Sequence, residues 1–300
     1  FPTRRSSDLE FSKGDQPFVL FVSYPDPHHP FAPPSEYFHR HDPADMPLPE
    51  SFHDDHATSP QYVRDITANR GTPDVDPMML WAPTEDQFRH ALAAELGSIE
   101  FIDDSVGRVV DAISRLGLTD DTVIVFTSDH GDVFGDHGLI LKHFTHYDAA
   151  IRVPLIISGG GIGTGRHHEL ASSTDIAPTL LDLADVEPMA GVQGMSLTPL
   201  MNGGASTWRS AILVEEDQPY GLPTLPGPVR LRTVVTDELR YTRIAGTAIT
   251  ELYDLASDPM EMTNRADDSS AGTLRDAANS VMVDELMRVV DDSKVPFHAA

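Results

Sequence analysis

The sequence contains no cysteine and few basic residues. Without cysteine the chain can form no disulfide, no thiolate metal ligand and no thiol nucleophile. Its 21 lysines and arginines are outnumbered by 47 aspartates and glutamates. The resulting net charge of −26 repels a nucleic-acid backbone and an anionic membrane surface at long range, so we do not expect nucleic acid as a partner.

Long apolar runs are also lacking. No segment reaches the about 18 consecutive apolar residues of a transmembrane helix, and the start has no apolar stretch typical of a signal peptide. The first residues, FPTRRSSDLE, have no initiator methionine and look like a translated adapter tail. We predict a non-native or disordered leader over 1–10 and a natural N-terminus that is lost. A flexible natural leader is the alternative.

The apolar pattern predicts an α/β domain. The runs PFVLFVS (17–23) and TVIVFTS (122–128) are typical of strands buried on both faces, and the second fits a central parallel strand. A capping box, TEDQ, begins at Thr84. Apolar residues at steps of three and four from Leu92 to Leu116 then predict a helix of about eight turns.

The remaining segments predict a long excursion and a second, smaller unit. Residues from Tyr24 to Pro83 are rich in Pro, His and Asp and predict an irregular excursion with short helices. RVPLIISG predicts another buried strand, and we interpret the following GGGIGTG as a loop because no Lys-Ser or Lys-Thr follows it. Alternating segments and a last helix predict a small α+β unit with an antiparallel sheet. We place the units at 11–205 and 206–300.

The stretch VFTSDHGDVFGDHGLILKH carries most of the candidate chemistry. Asp129 and His130 follow a predicted strand at its carboxyl end, where open α/β sheets bind ligands. Both side chains can reach one divalent cation there, but Ca²⁺ or Mg²⁺ takes about six oxygen ligands, so others must come from elsewhere. The alternative is that Asp129 caps the next turn and His130 packs beside it.

Two further residues suit an anionic substrate. Lys142 offers a point charge that can anchor a tetrahedral anion, and the alternative is a solvated lysine. His28, in PHHP, follows the first apolar run and can serve as an acid for a leaving oxygen. The alternative for His28 is a surface histidine in a loop. We interpret Asp136 and His137 as structural.

The order of five blocks resembles the sulfatase family of the alkaline phosphatase superfamily. The blocks are SYPDPHHPFAPP, IEFIDDSVGRVVDAISRLGLTDDTVIVFTSDHGDVFGDHG leading to Lys142, YDAAIRVPLII, SSTDIAPTLLDLADV with GVQGMSLTPLM, and RTVVTDELRYTRI with ELYDLASDPMEMTN. The resemblance covers nearly the whole chain. It implies an alkaline-phosphatase-like three-layer α/β sandwich with a central, mostly parallel sheet, part of which lies in this chain.

The resemblance also implies roles for individual residues. Asp129 and His130 would be metal ligands, with Ca²⁺ as the expected ion and Mg²⁺ or Mn²⁺ in relatives that cleave phosphorus esters. Lys142 would contact the sulfate, His28 would approach the ester oxygen, and His143 is a further candidate for substrate contact. The implied activity is hydrolysis of a small-molecule or carbohydrate sulfate ester.

The chain departs from the family pattern at its attacking group. The motif C/S-x-P-x-R, whose Cys or Ser becomes formylglycine, is absent, as is the strand ending in paired aspartates that supplies other metal ligands. We expect both on a preceding segment, and we expect the 300-residue chain by itself to be inactive. Two alternatives stay open: a phosphonate monoester or phosphodiester hydrolase of the same fold, and a non-catalytic relative that binds metal or anions.

Overall fold

The structure is a computed structural model that describes residues 17–72, 80–188, 190–203 and 207–289. The predicted leader at 1–10 lies outside these residues. The α-helices of the described part are α1 (Ser35–Phe38), α2 (Gln61–Ala68), α3 (Glu85–Arg115), α4 (Asp148–Ile151), α5 (Ile176–Leu183), α6 (Thr198–Met201) and α7 (Gly272–Arg288). The strands are β1 (Val123–Thr127), β2 (Leu155–Gly159), β3 (Ile212–Gln218), β4 (Val229–Val235), β5 (Leu239–Ile244) and β6 (Thr250–Asp254). Short 3₁₀ turns lie at Pro43–Asp45, Glu50–His53, Thr119–Asp121, Asp136–Gly138, Ser173–Asp175 and Ser269–Ala271.

Helix α3 begins at the predicted capping box. The Thr84 hydroxyl accepts the backbone N–H of Gln87 at 3.2 Å, and the Gln87 side-chain oxygen accepts the backbone N–H of Thr84 at 2.8 Å. The helix ends before Gly117, whose φ of +72° suits glycine. None of the described helices is long and apolar enough to cross a membrane.

The buried face of α3 differs from the predicted apolar stripe. Ile99 and Leu116, both on that stripe, are 47% and 42% exposed, whereas Ala93 and Ala94 are buried. Close packing against α1 explains part of the difference, because a Cβ at Gly97 would lie 2.6 Å from the backbone carbonyl oxygen of Tyr37. Small side chains therefore occupy the contact face.

Strand β1 forms where it was predicted, but its direction relative to β2 was not anticipated. The two strands pair antiparallel, with Val125 opposite Ile157. The strand predicted as a central parallel strand therefore has an antiparallel neighbour among the described residues. An apolar run indicates a strand but does not indicate the direction of the neighbour, which depends on how the connecting chain turns back. Residues 128–154 between them make that return.

The apolar run at 17–23 does not form the predicted buried strand. Val19 is 92% exposed and Phe21 is 89% exposed, and no described strand pairs with this run. A strand is held by hydrogen bonds to a neighbouring strand, so an apolar sequence without such a neighbour among the described residues stays extended and unpaired.

The predicted C-terminal α+β unit is confirmed as a set of elements. Strands β3 to β6 form a four-stranded antiparallel sheet in sequence order, with Val234 of β4 opposite Tyr241 of β5. Helix α7 packs on one face of this sheet, where Ala278 and Met282 join a buried cluster with Leu252. The excursion before Pro83 has the predicted short helices.

One buried cluster joins the small sheet to the loop after β1. Leu139 and Phe144 of that loop lie in a single core with Leu231 of β4 and Tyr253 of β6. Tyr62 of α2 belongs to the same core. Through this shared core, the C-terminal sheet packs against the loop that carries Lys142. The boundary at 205/206 stays a prediction.

Candidate functional site

The turn that follows β1 is pressed against α4. The backbone N–H of Gly131 donates to the carbonyl oxygen of Ala150 at 2.9 Å. A Cβ at Gly131 would lie 2.0 Å from the carbonyl oxygen of Ala149, so only glycine fits here. This close approach sets where the preceding pair, Asp129 and His130, leaves the sheet.

Asp129 and His130 offer two ligand atoms side by side. His130 Nδ1 lies 2.7 Å from the carbonyl oxygen of Gly131, an acceptor, so Nδ1 carries the proton and the lone pair is on Nε2. Nε2 lies 3.7 Å from Asp129 Oδ2. Burial by itself raises the pKa of Asp129, but the charge of His130 and backbone hydrogen bonds outweigh it and lower the pKa below its usual range. The carboxylate is therefore ionised at neutral pH.

These two atoms fit a divalent cation as part of a shell. The side chains are 84% and 40% exposed, so an ion can reach them. Within the described ranges, no group of three or more His, Asp or Glu could hold a metal ion. A divalent cation at this pair would have to take its remaining ligands from outside the described residues, or from substrate and water.

Lys142 is buried close to this pair. Its side chain is 7% exposed, and among the described residues no carboxylate lies within ion-pair distance of its ammonium group. Burial lowers the pKa of Lys142, and the charges of Asp132, Asp129 and Glu95 partly oppose the change. A buried cation without a direct counterion is suited to meeting an anion.

Two acidic side chains that the sequence reasoning missed lie near Lys142. Asp132 Oδ1 accepts the backbone N–H of Phe134 at 3.0 Å and of Leu141 at 2.8 Å, and so closes the loop that leads to the lysine. Burial raises the pKa of Glu95 to about 8, with a further contribution from the charge of Asp132. The sequence could have indicated Glu95, because this glutamate lies between Leu92 and Ile99 on the apolar stripe of the predicted helix.

The second Asp-His pair has structural contacts. Asp136 accepts a hydrogen bond from the Ser51 hydroxyl at 2.8 Å. His137 Nδ1 forms a hydrogen bond with Asp54 Oδ2, and the His137 ring stacks on the Tyr147 ring with centroids 3.8 Å apart. These contacts anchor the middle of the loop to the excursion before α3 and agree with the interpretation of the pair as structural.

His143 lies beside His130, whereas His28 stands apart. The ring centroids of His143 and His130 are 6.4 Å apart, and the side chain of His143 is one-third exposed. His28 is exposed, stacks on His29 at 4.0 Å, and places Nδ1 2.6 Å from the His29 carbonyl oxygen. Within the described residues no hydrogen bond, ion pair or ring contact joins His28 to Asp129, His130 or Lys142.

An aromatic contact nevertheless links the PHHP segment to the loop. The ring of Phe31 meets the ring of Phe134 edge-on, with centroids 5.2 Å apart. The charge of Asp26, two residues before His28, also acts on Glu95, as does that of Lys142. The histidine segment and the lysine therefore lie in the same part of the molecule.

Comparison with known proteins supplies the family. The family model described as Sulfatase matches residues 6–186, and the model described as N-sulphoglucosamine sulphohydrolase, C-terminal, matches residues 135–288. The chain belongs to the sulfatase family. This confirms the resemblance read from the five sequence blocks, within the alkaline phosphatase superfamily.

Individual relatives of this sulfatase chain are similar over most of its length. It is 30% identical to the uncharacterized sulfatase YidJ of Escherichia coli, over 96% of this chain and 54% of that protein. It is 31% identical to a choline-sulfatase of Rhizobium meliloti, over 84% of this chain and 47% of that protein. The sulfatase chain thus spans about half the length of these relatives.

A solved structure confirms the fold class. The phosphonate monoester hydrolase of Agrobacterium radiobacter is similar with a TM-score of 0.80 and 27% identity, over 95% of this chain and 60% of that one. The alkaline-phosphatase-like α/β fold with a C-terminal antiparallel sheet is therefore confirmed for this sulfatase chain.

Proposed function

We propose that the complete protein to which this chain belongs is a metal-dependent sulfuric ester hydrolase that acts on a small-molecule or carbohydrate sulfate ester. The observation that carries the proposal is the buried Lys142, which has no ion-pair partner among the described residues and lies in one loop with a ligand pair. That pair is Asp129 Oδ2 and His130 Nε2, 3.7 Å apart. Membership of the sulfatase family supports the same activity.

Asp129 and His130 would hold the metal, with Ca²⁺ expected and Mg²⁺ or Mn²⁺ as the alternatives. When bound, the cation supplies Lewis-acid stabilisation of a tetrahedral anion. The Gly131 carbonyl oxygen keeps the His130 proton on Nδ1 and so keeps Nε2 available as a ligand.

Lys142 and His28 would act on the substrate itself. The Lys142 ammonium would neutralise the sulfate oxygens, and it would do so strongly because it is buried. His28 would donate a proton from Nε2 to the leaving oxygen as the S–O bond to that oxygen breaks and the nucleophile of the complete protein bonds to sulfur. The hydrogen bond from its Nδ1 to the His29 carbonyl oxygen would orient the ring, and His143, whose ring lies 6.4 Å from that of His130, would also contact the substrate.

The 300-residue chain by itself is expected to be inactive or nearly so. The described residues provide two candidate ligands, and the sequence has no C/S-x-P-x-R motif to supply a formylglycine. The nucleophile and the remaining ligands would lie on a preceding segment. Activity therefore has to be tested on the full-length protein.

A phosphonate monoester or phosphodiester hydrolase is the second candidate function. The similarity to the Agrobacterium radiobacter phosphonate monoester hydrolase, with a TM-score of 0.80, favours it. A lysine and a divalent cation stabilise a tetrahedral phosphorus centre by the same electrostatic means as a sulfur centre. The choice depends on which ester is turned over faster.

Kinetics of the full-length protein with a matched pair of esters test these proposals. We expect an aryl sulfate to be cleaved faster than the corresponding phosphonate monoester. In Lys142→Met and Asp129→Ala, kcat/KM should fall by about a hundredfold or more, because the first removes a cation that would stabilise the transition state and the second removes a ligand of the proposed metal ion. Arg152→Met, which removes a 79% exposed cation nearby, should stay within about twofold.

The outcomes separate the candidates. Faster turnover of the phosphonate ester supports the second function, and sulfate binding without turnover of either ester supports a non-catalytic anion-binding protein. A Lys142→Met variant as active as the wild type removes the role proposed for the lysine. Circular dichroism of each variant verifies that it is folded.

A further inference from the structure

The backbone on both sides of Lys142 is held in an uncommon conformation. Leu141, His143 and Phe144 have φ values of +74°, +77° and +64°, in the left-handed region that non-glycine residues seldom occupy. Such a conformation persists only where the surrounding structure holds it in place. Lys142 therefore depends on contacts made by its neighbours in the chain.

Two carboxylates bracket this strained segment. Before the lysine, the backbone N–H of Leu141 donates to Asp132 of the same loop at 2.8 Å. After the lysine, the backbone N–H of Phe144 donates to Glu216 Oε1 at 3.1 Å. Glu216 lies on β3 of the C-terminal sheet, 72 residues along the chain from Phe144. The carboxylate that contacts the segment after the lysine therefore belongs to the C-terminal sheet.

Two histidine rings of the same segment also lie against Glu216. His146 Nε2 lies 3.1 Å from Oε2, and His143 Nδ1 lies 3.4 Å from Oε1. Gln218 Nε2 donates to Oε1 at 2.9 Å and also lies 2.9 Å from His143 Nδ1. Burial by itself raises the pKa of Glu216, but the hydrogen bonds from His143 and His146 outweigh it and hold the pKa far below its usual range. The carboxylate is therefore a charged acceptor at neutral pH.

The contact extends into the small sheet. His146 Nδ1 lies 2.7 Å from the Thr233 hydroxyl, which lies 2.7 Å from the Thr242 hydroxyl. Both threonines and His146 are buried. A charged acceptor held in a satisfied polar network of this kind has little freedom to move.

We propose that Glu216 is a positioning residue, which holds residues 141–146 so that Lys142 and His143 face the anion. This inference rests on the proposed function of Lys142. Glu216 would touch neither substrate nor metal and would act only through the backbone of Phe144 and the rings of His143 and His146. The C-terminal sheet would then be required for anion binding as well as for folding.

The same strand offers a matched control. Glu215 points to the other face of β3 and pairs with Arg232 at 2.7 Å, with its side chain 46% exposed. Glu215→Gln removes the same charge from the next residue without touching the lysine segment. Differences between Glu216→Gln and Glu215→Gln therefore report on the segment and not on net charge.

The test uses amide hydrogen exchange and steady-state kinetics of the full-length protein. In Glu216→Gln, one acceptor oxygen becomes an amide group that cannot accept, so we expect amides 141–146 to exchange about tenfold faster or more. The KM for an aryl sulfate should rise about tenfold with a smaller change in kcat, because anion binding is displaced. Glu215→Gln should match the wild type in both measurements.

Equal exchange and equal KM in the two variants would overturn the proposal. Should Glu216→Gln not fold, Gln218→Ala removes one donor of the network and must shift both quantities in the same direction by about twofold to fivefold; no shift counts against the proposal. If the wild type cleaves no ester, the proposed function fails, whereas the exchange comparison still decides whether Glu216 holds the segment.

Discussion

His137 Nδ1 lies 2.8 Å from Asp54 Oδ2, and the two side chains are only 2% and 3% exposed. This pair joins the loop after β1 to the excursion that precedes α3. His137 itself has a φ of +53°, so its backbone conformation also needs support from its surroundings. Asp54 therefore anchors the loop at His137, and Glu216 contacts the same loop further along the chain, at Phe144.

We expect Asp54→Asn to lower the free energy of unfolding at pH 7 by about 2–3 kcal/mol, since a buried charge-assisted hydrogen bond is lost. Burial by itself raises the pKa of Asp54, but hydrogen bonds from His137 and from the His56 backbone N–H outweigh it and lower the pKa. A lowered pKa adds stability above the ordinary value of 3.8, and that stability is lost as pH falls through the folded-state pKa. Urea unfolding between pH 3 and pH 7 measures both effects.

The neighbouring Asp55 is the control for this substitution. It is exposed, and among the described residues it accepts only the backbone N–H of Ala57, at 2.9 Å. Asp55→Asn should change stability by less than about 0.5 kcal/mol. Equal effects of the two substitutions would mean that the buried pair does not anchor the loop.

Glu95 should make the protein less stable as pH rises. Burial raises its pKa from 4.5 to about 8, so the folded state binds the proton more tightly than the unfolded state. The stability from this group is complete below pH 4.5 and is lost as pH rises through about 8. At pH 9 we expect Glu95→Gln to be more stable than the wild type by roughly 3–5 kcal/mol, and near pH 4.5 about equal to it.

Thermal unfolding across pH 4.5 to 9 measures this difference. Asp103→Asn, which removes an exposed carboxylate from the same helix, serves as the control and should leave the pH dependence unchanged. Parallel stability curves for Glu95→Gln and the wild type would show that Glu95 titrates as it does in water.

We expect Gly131→Ala to displace the backbone next to the candidate ligands Asp129 and His130. The added Cβ would lie 2.0 Å from the Ala149 carbonyl oxygen, and a backbone atom cannot move aside cheaply. We expect a loss of about 2–3 kcal/mol in unfolding free energy, together with a weakening of the metal binding that is proposed for Asp129 and His130. Urea unfolding and calorimetric titration of the full-length protein with Ca²⁺ measure the two effects.

Gly107→Ala is the matched substitution. Gly107 lies inside α3, and among the described residues no atom beyond the adjacent turns of its own helix backbone lies within 4 Å of a Cβ at this position. Alanine there should raise stability by about 0.5–1 kcal/mol, because it favours the helix. If both glycines tolerate alanine equally, the close approach at Gly131 is not a constraint on the site.

Local sequence patterns predicted most of the elements. The capping box at Thr84 and the strand before Asp129 form at the predicted positions, and an antiparallel sheet forms in the predicted C-terminal unit. Each pattern depends on neighbouring residues only. The run at 17–23 failed as a buried strand because burial of a strand also needs partners, which a local pattern does not contain.

The candidate site also has one part that the sequence predicts and another that only the tertiary structure reveals. Asp129, His130 and Lys142 lie in one loop, so the sequence by itself determined that they belong together, and the family blocks indicated their chemistry. Only the tertiary structure decided that Glu216 holds the lysine segment. The acidic run EED does not reveal which carboxylate faces inward against Phe144, because contacts between residues far apart in the chain depend on how whole elements pack.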